Sequence, residues 1–91
     1  MVLKWTSKAL SDLVRLYEFL APVNRQAAVR TVHALTDAPA RLLDHPRIGE
    51  QLDEFAPREV RRLLVGHYEI RYEIQDTTLY VLRLWHTRED R

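Results

Sequence analysis

"EVRRLLVGHYEIRYEI", residues 59–74, decides the fold. In its second half Tyr68, Ile70, Tyr72 and Ile74 alternate with Glu69, Arg71 and Glu73. Alternation at period two sends the apolar set to one face of a β-strand and the charged set to the other. Gly66 separates this run from "EVRRLLV" (59–65), so the two read as strands joined by a tight turn. A second turn at Asp76 and Thr77 leads into "LYVLRLW" (79–85), which is apolar on both faces apart from Arg83 and therefore reads as a central strand.

Upstream, "HPRIGEQLDEFAP" (45–57) carries turn residues and no sustained period, and reads as a surface connection. Before it the period changes to that of helices. Ala9, Leu10, Leu13, Leu16, Tyr17 and Leu20 recur at three- and four-residue steps opposite Lys8, Asp12, Arg15 and Glu18, predicting a helix over 7–20 capped by Thr6. Pro22 ends it, and Asn24 caps a second helix with Ala28, Val32 and Leu35 on one face and Leu42 and Leu43 further on. Pro39 removes a backbone donor inside that pattern, so a kink or break is expected near Asp37, with a last turn ending at Pro46. "VLKW" (2–5) alternates as a short first strand. The order β-α-α-β-β-β predicts an α+β domain in which an antiparallel helical hairpin packs on one face of a mostly antiparallel four-stranded sheet. The other face is left for function.

Composition narrows the classes of function. A chain of 91 residues supports one core, and 46% hydrophobic with 30% charged residues is the balance of a globular protein. No apolar run approaches the ~20 residues that cross a bilayer. No charged-then-apolar leader is seen, and the expectation is a cytoplasmic protein. The chain has no cysteine, which excludes disulfides, thiol catalysis and thiolate metal sites. His33, His45 and His67 fall on separate elements with no metal-ligand spacing, so neither a metal nor a cofactor is assigned. A net charge of +1 permits nucleic acid as a partner without demanding it. Trp5 and Trp85, at strand ends, read as core or cover.

Three stretches, "WTSKALSDL" (5–13), "VRRLLVGHYEIRYEI" (60–74) and "VLRLWHTRED" (81–90), come in an order and spacing that resemble the RelE/ParE superfamily of toxins from bacterial toxin–antitoxin systems. The resemblance covers essentially the whole chain and implies one toxin domain over residues 1–91, held inactive by a cognate antitoxin that wraps over sheet and helices. It also implies a hetero-oligomer with that antitoxin, and contact with operator DNA only through it. The superfamily splits by target: RelE-like members cleave messenger RNA on the ribosome, and ParE-like members poison DNA gyrase.

Metal-independent RNA cleavage needs a base for the 2′-hydroxyl, cations at the phosphate and an acid for the leaving oxygen. In the RelE-like branch the resemblance nominates Arg61 or Arg62, Arg71, Arg83 and His86, with Arg83 on the phosphate and His86 as acid or base. Regular alternation, however, puts Arg83 and His86 on opposite faces. The strands from Glu59 onward have no lysine, and Glu69, Glu73, Glu89 and Asp90 place negative charge near the arginines. The tail "RLWHTRED" (83–90) also resembles the ParE-like ending, and that branch is favoured. Binding of target or antitoxin then falls to Arg15, Glu18, Arg30, Arg83, His86 and Arg88. A third reading is a degenerate toxin that serves only as an antitoxin-bound co-repressor. Plainer roles stand beside these: an ion pair of Arg83 with Glu69 or Glu73, a strand-end His86 bonded to backbone, and a solvated side chain for whichever of Arg61 and Arg62 faces away.

Overall fold

The computed structural model describes residues 1–89. Strand β1 (Val2–Trp5) leads into helix α1 (Ser7–Leu20) and helix α2 (Arg25–Leu42); β2 (Glu50–Gln51), a 3-10 turn (Asp53–Phe55), β3 (Glu59–Val65), β4 (Tyr68–Gln75) and β5 (Thr78–His86) follow. The sheet has five strands in the order β1-β5-β4-β3-β2, not the four expected, and it is mixed because β1 runs parallel to β5. The extra strand is the two-residue β2, paired as Glu50↔Arg62 and Gln51↔Arg61. It lies inside the segment read as irregular, too short to show a period.

Both caps form as expected. The Ala9 N–H donates to Thr6 Oγ1 and the Ala27 N–H to Asn24 Oδ1, each at 3.1 Å, which satisfies donors that a helix start leaves open. The expected break near Asp37 does not occur, and α2 runs through Pro39 to Leu42. Burial explains this: Leu35, Ala38, Pro39 and Leu42 are all packed inside, and that burial offsets the ~3 kcal/mol that an interior proline costs a helix. The core unites Leu16, Leu35 and Leu42 of the hairpin with Ile70, Tyr72, Ile74, Leu79, Val81 and Leu84 of the sheet.

One irregularity re-aims the end of β5. Its pairing with β4 steps from Tyr72↔Val81 to Arg71↔Arg83 and leaves Leu82 as an extra residue. The bulge reverses which side chains face the helices, so Leu79 and Val81 are core residues before it and Leu84 after it. The strand looks apolar on both faces in sequence because its parity changes halfway. Past the bulge, Arg83 and Trp85 share the outer face with Glu69 and Arg71.

Two turns need backbone that most residues resist. Gly66 has φ +59° in the two-residue turn between β3 and β4, where its lack of a Cβ removes the strain. Asp76, at φ 54°, takes the corresponding place before β5. Aspartate tolerates that conformation better than most side chains.

Candidate functional site

On the face of the sheet away from the helices, register aligns three cations. Arg62 lies opposite Arg71, and Arg71 opposite Arg83, so guanidiniums from three neighbouring strands form one row. Like charges directly opposite one another are unfavourable unless compensated. Each arginine has its carboxylate: Arg62 with Glu50 at 2.7 Å, Arg71 with Glu69 at 3.1 Å, and Arg83 with Asp12 at 2.7 and 3.1 Å. Glu69 is buried between Arg62 and Arg71. Trp85 lies beneath the row, with the Arg71 and Arg83 guanidiniums 4.8 and 5.4 Å from its ring, and Phe55 approaches Arg71 at 5.5 Å. These are cation–π distances, and they cover Trp85 as expected of a residue at a strand end.

The partner of Arg83 corrects the sequence reading. It is neither Glu69 nor Glu73 but Asp12, which the helical pattern had assigned to the polar face of α1. Glu73 is taken by Arg58 at 2.7 Å. The reason lies at the edge of the sheet. β1 ends at Trp5, opposite Val81, so β5 beyond that point has lost its neighbouring strand. Side chains of the cap and of the first half of α1 take its place: Thr6 Oγ1 donates to Leu82 O at 2.9 Å, Asp12 Oδ2 accepts the Leu84 N–H at 2.9 Å, and, further along the helix, Arg15 Nη2 donates to Leu84 O at 3.3 Å. Asp12 is only 5% exposed. Its spacing from Ala9 and Leu16, three and four residues away, was the signal that it belonged to the buried stripe.

Burial by itself pushes the Asp12 carboxyl upward, but hydrogen bonds from Arg83 and the Leu84 N–H outweigh it and hold it below the usual carboxylate range. The hydrogen bond from Arg58 lowers Glu73, against the upward push of burial. A carboxylate lowered by folding contributes stability that is present above its unfolded value and lost as pH falls through its folded value. Stability supplied by Asp12 and Glu73 is therefore expected to be level from pH ~7 to ~5 and to fall below pH ~4. Thermal unfolding at several pH values checks this, and Asp12→Asn should flatten the acid limb; an acid limb identical in that variant would contradict the assignment.

His86 lies on the other side of the sheet, paired with Tyr68. Its ring meets Tyr68 edge-on at 5.1 Å and stacks on His67 at 6.0 Å, while its Nδ1 accepts the Arg88 N–H at 3.1 Å. This is the backbone bond expected of a strand-end histidine. Together with Arg15, Phe19, Arg88 and Glu89, His86 lines a hollow of about 520 Å³ between α1 and the end of the sheet. Arg15 spans it to Glu89 at 2.8 Å. Phe19, which lines it, is 77% exposed. Arg30 lines a second hollow of about 360 Å³ on the far side of Tyr68, beside His67.

The nominated residues thus divide. Arg62, Arg71 and Arg83 come together on one face; Arg15, His86 and Arg88 come together on the other. Arg83 and His86 are not brought together. Glu18 is exposed on α1 and lines neither hollow. Arg61, expected to be solvated if it faced away from the row, is instead held by Glu59 at 2.9 Å and Gly49 O at 2.7 Å, where it ties β3 to the segment before β2. Asp90, counted among the acids of the tail, lies outside the described residues. Among the described residues, no group of three or more His, Asp or Glu side chains is placed to hold a metal ion, and no helix is long and apolar enough to cross a membrane.

Comparison with known proteins places this geometry in context. Residues 3–91 match the model of a family described as the ParE toxin of the type II toxin–antitoxin system, parDE. The chain is 30% identical over 83 residues to Toxin RelE2 of Caulobacter vibrioides (strain ATCC 19089 / CIP 103742 / CB 15), covering 90% of each. Its fold is similar to a solved chain from a chromosomal ParDE TA system of P. aeruginosa, with a TM-score of 0.79 and 22% identity over 94% of this chain and 95% of that one. The β-α-α-β framework, the sheet that ends the chain and the match along its length lead to one assignment: the chain belongs to the ParE toxin family of type II toxin–antitoxin systems, within the RelE/ParE superfamily.

Proposed function

We propose that this toxin arrests growth by binding DNA gyrase and is neutralised by a cognate antitoxin, which its family membership implies. The observation that carries the reading is the separation of Arg83 from His86 by the thickness of the sheet. Metal-independent RNA cleavage requires a phosphate-binding cation and a proton-transfer group within reach of one phosphate. Here the arginine row already carries the carboxylates of Asp12, Glu50 and Glu69, which oppose the approach of a polyanion. The groove around His86, lined by Leu16, Leu20 and Tyr68 and by exposed Phe19, has instead the apolar and aromatic character of a protein-binding surface. Operator DNA is contacted only through the antitoxin.

The test is a supercoiling assay with gyrase, ATP and relaxed plasmid. The expected result is a dose-dependent loss of supercoiling that antitoxin reverses, and roughly tenfold weaker inhibition by His86→Gln, the scale of an interface anchor. Unchanged supercoiling at every dose would overturn the proposal.

A second reading, ribosome-dependent cleavage of messenger RNA, is favoured by one observation: the register that aligns Arg62, Arg71 and Arg83 across three strands. In that case Arg71→Ala removes growth arrest, and cut messenger appears on ribosomes. Normal growth on expression of the chain alone would instead favour a co-repressor that has lost toxicity.

A further inference from the structure

Past the end of β5 the chain leaves the sheet. The Thr87 N–H donates to His67 O at 2.9 Å, the last main-chain bond that ties it to the turn before β4. Beyond that point, among the described residues, three bonds hold Arg88 and Glu89, and two of them end on His86. The Glu89 N–H donates to the His86 carbonyl at 2.9 Å, and the Arg88 N–H donates to His86 Nδ1 at 3.1 Å. The third is the ion pair of the Glu89 carboxylate with Arg15.

A backbone N–H only donates, so Nδ1 offers it a lone pair, and the neutral ring carries its proton on Nε2. Tyr68 and His67 pack against the ring and fix the direction of that lone pair. The turn so held carries Arg88 to the hollow between α1 and the end of the sheet, whose apolar lining is Leu16, Phe19, Leu20 and Tyr68. Arg15, the other arginine of the hollow, is already paired with Glu89. Arg88 is exposed and forms no ion pair with any described residue. An uncompensated cation beside an apolar surface is complementary to a carboxylate flanked by apolar side chains.

We propose that His86 acts on the target at one remove, as a positioning residue: its Nδ1 holds the turn that sets Arg88 at the hollow, and Arg88 takes a carboxylate on the surface of gyrase. An arginine on an untethered chain end samples many directions, and apparent affinity falls with the fraction of tails in the binding arrangement. Holding the turn in advance removes that cost. The inference rests on the gyrase reading above and deepens it, because it names the ring nitrogen that matters and the group the hollow recognises.

Two substitutions separate the ring nitrogens. Asparagine puts its side-chain oxygen where Nδ1 stands, whereas glutamine puts its terminal group where Nε2 stands. In the supercoiling assay with the full chain, His86→Gln should inhibit roughly tenfold more weakly than the parent, and His86→Asn should recover to within about threefold of it. The Arg88 amide should exchange faster in His86→Gln than in the parent or in His86→Asn. Arg88→Gln, an exposed change outside the core, should weaken inhibition about tenfold at an unaltered melting temperature. If His86→Asn is no stronger than His86→Gln, or if His86→Gln inhibits fully, the positioning role is overturned; full inhibition by Arg88→Gln overturns Arg88 as the group positioned. A parent chain that leaves supercoiling unchanged at every dose overturns the gyrase reading itself.

Discussion

Replacing Asp12 by alanine should destabilise the fold by about 3 kcal/mol, the cost of removing one member of a buried, hydrogen-bonded charge pair. The carboxylate holds three groups at once: Arg83 through two bonds, the Leu84 N–H, and Arg15 at 3.4 Å. The half-exposed Arg83 guanidinium can turn to water when its partner is lost, which limits its share of the penalty. The Leu84 N–H cannot, because it is buried between β5 and α1, and an unpaired buried donor costs about 1–3 kcal/mol on its own. In a domain of this size the sum corresponds to a fall in Tm of roughly 12–20 °C. Asp12→Asn keeps an acceptor for the N–H and should lose about half as much. Urea unfolding of the two variants checks the ordering; a loss under ~1 kcal/mol for alanine would show that the joint between α1 and β5 is held by its apolar neighbours alone.

Gly49→Ala is the second large effect, and it comes from lack of space. A Cβ at Gly49 would lie 2.5 Å from the Tyr72 hydroxyl and 2.7 Å from the Arg62 carbonyl, one the tip of a core side chain and the other backbone. Neither can retreat without loss. Tyr72 accepts the Gly49 N–H at 3.0 Å and donates to Pro46 O at 2.8 Å, so moving its ring breaks two hydrogen bonds, the first of them buried. Moving the Arg62 carbonyl disturbs the pairing of β2 with β3. Overpacking of this kind costs up to about 3 kcal/mol. The expected signature is a lower melting temperature with faster amide exchange in β2 and β3, while α1 and β5 keep their protection until global unfolding. A variant as stable as the parent would mean that the loop before β2 yields easily.

These two sites show where reading along the chain stops. The alternation of Tyr68 to Ile74, the stripe from Ala9 to Leu20 apart from the half-exposed Leu10, and the two helix caps were all legible, because each depends on neighbours within a few residues. The same local rules misjudged Pro39, where burial of Leu35, Ala38 and Leu42 keeps α2 intact. They also misassigned Asp12, which appeared polar on a helical wheel and proved to be the counter-ion of a residue 71 positions away. Arg83 was rightly read as a charge needing a partner, but the partner came from the helix, since only the folded chain reveals that β1 stops short of β5.

What the sequence determined by itself is the order of the longer elements, most of the buried positions of the helices, the faces of β4, and the identity of the cations available to a functional surface. Periodicity and capping are properties of a single segment, and they survive whatever that segment later packs against. The tertiary structure decided the rest: that β1 joins the sheet in parallel, that a bulge at Leu82 reverses the faces of β5, that Arg62, Arg71 and Arg83 share a row, and that His86 is on the far side. Each of these is a matter of register between strands distant in sequence. A shift of one residue in register exchanges the two faces of a strand, so the candidate site exists only once the sheet has closed.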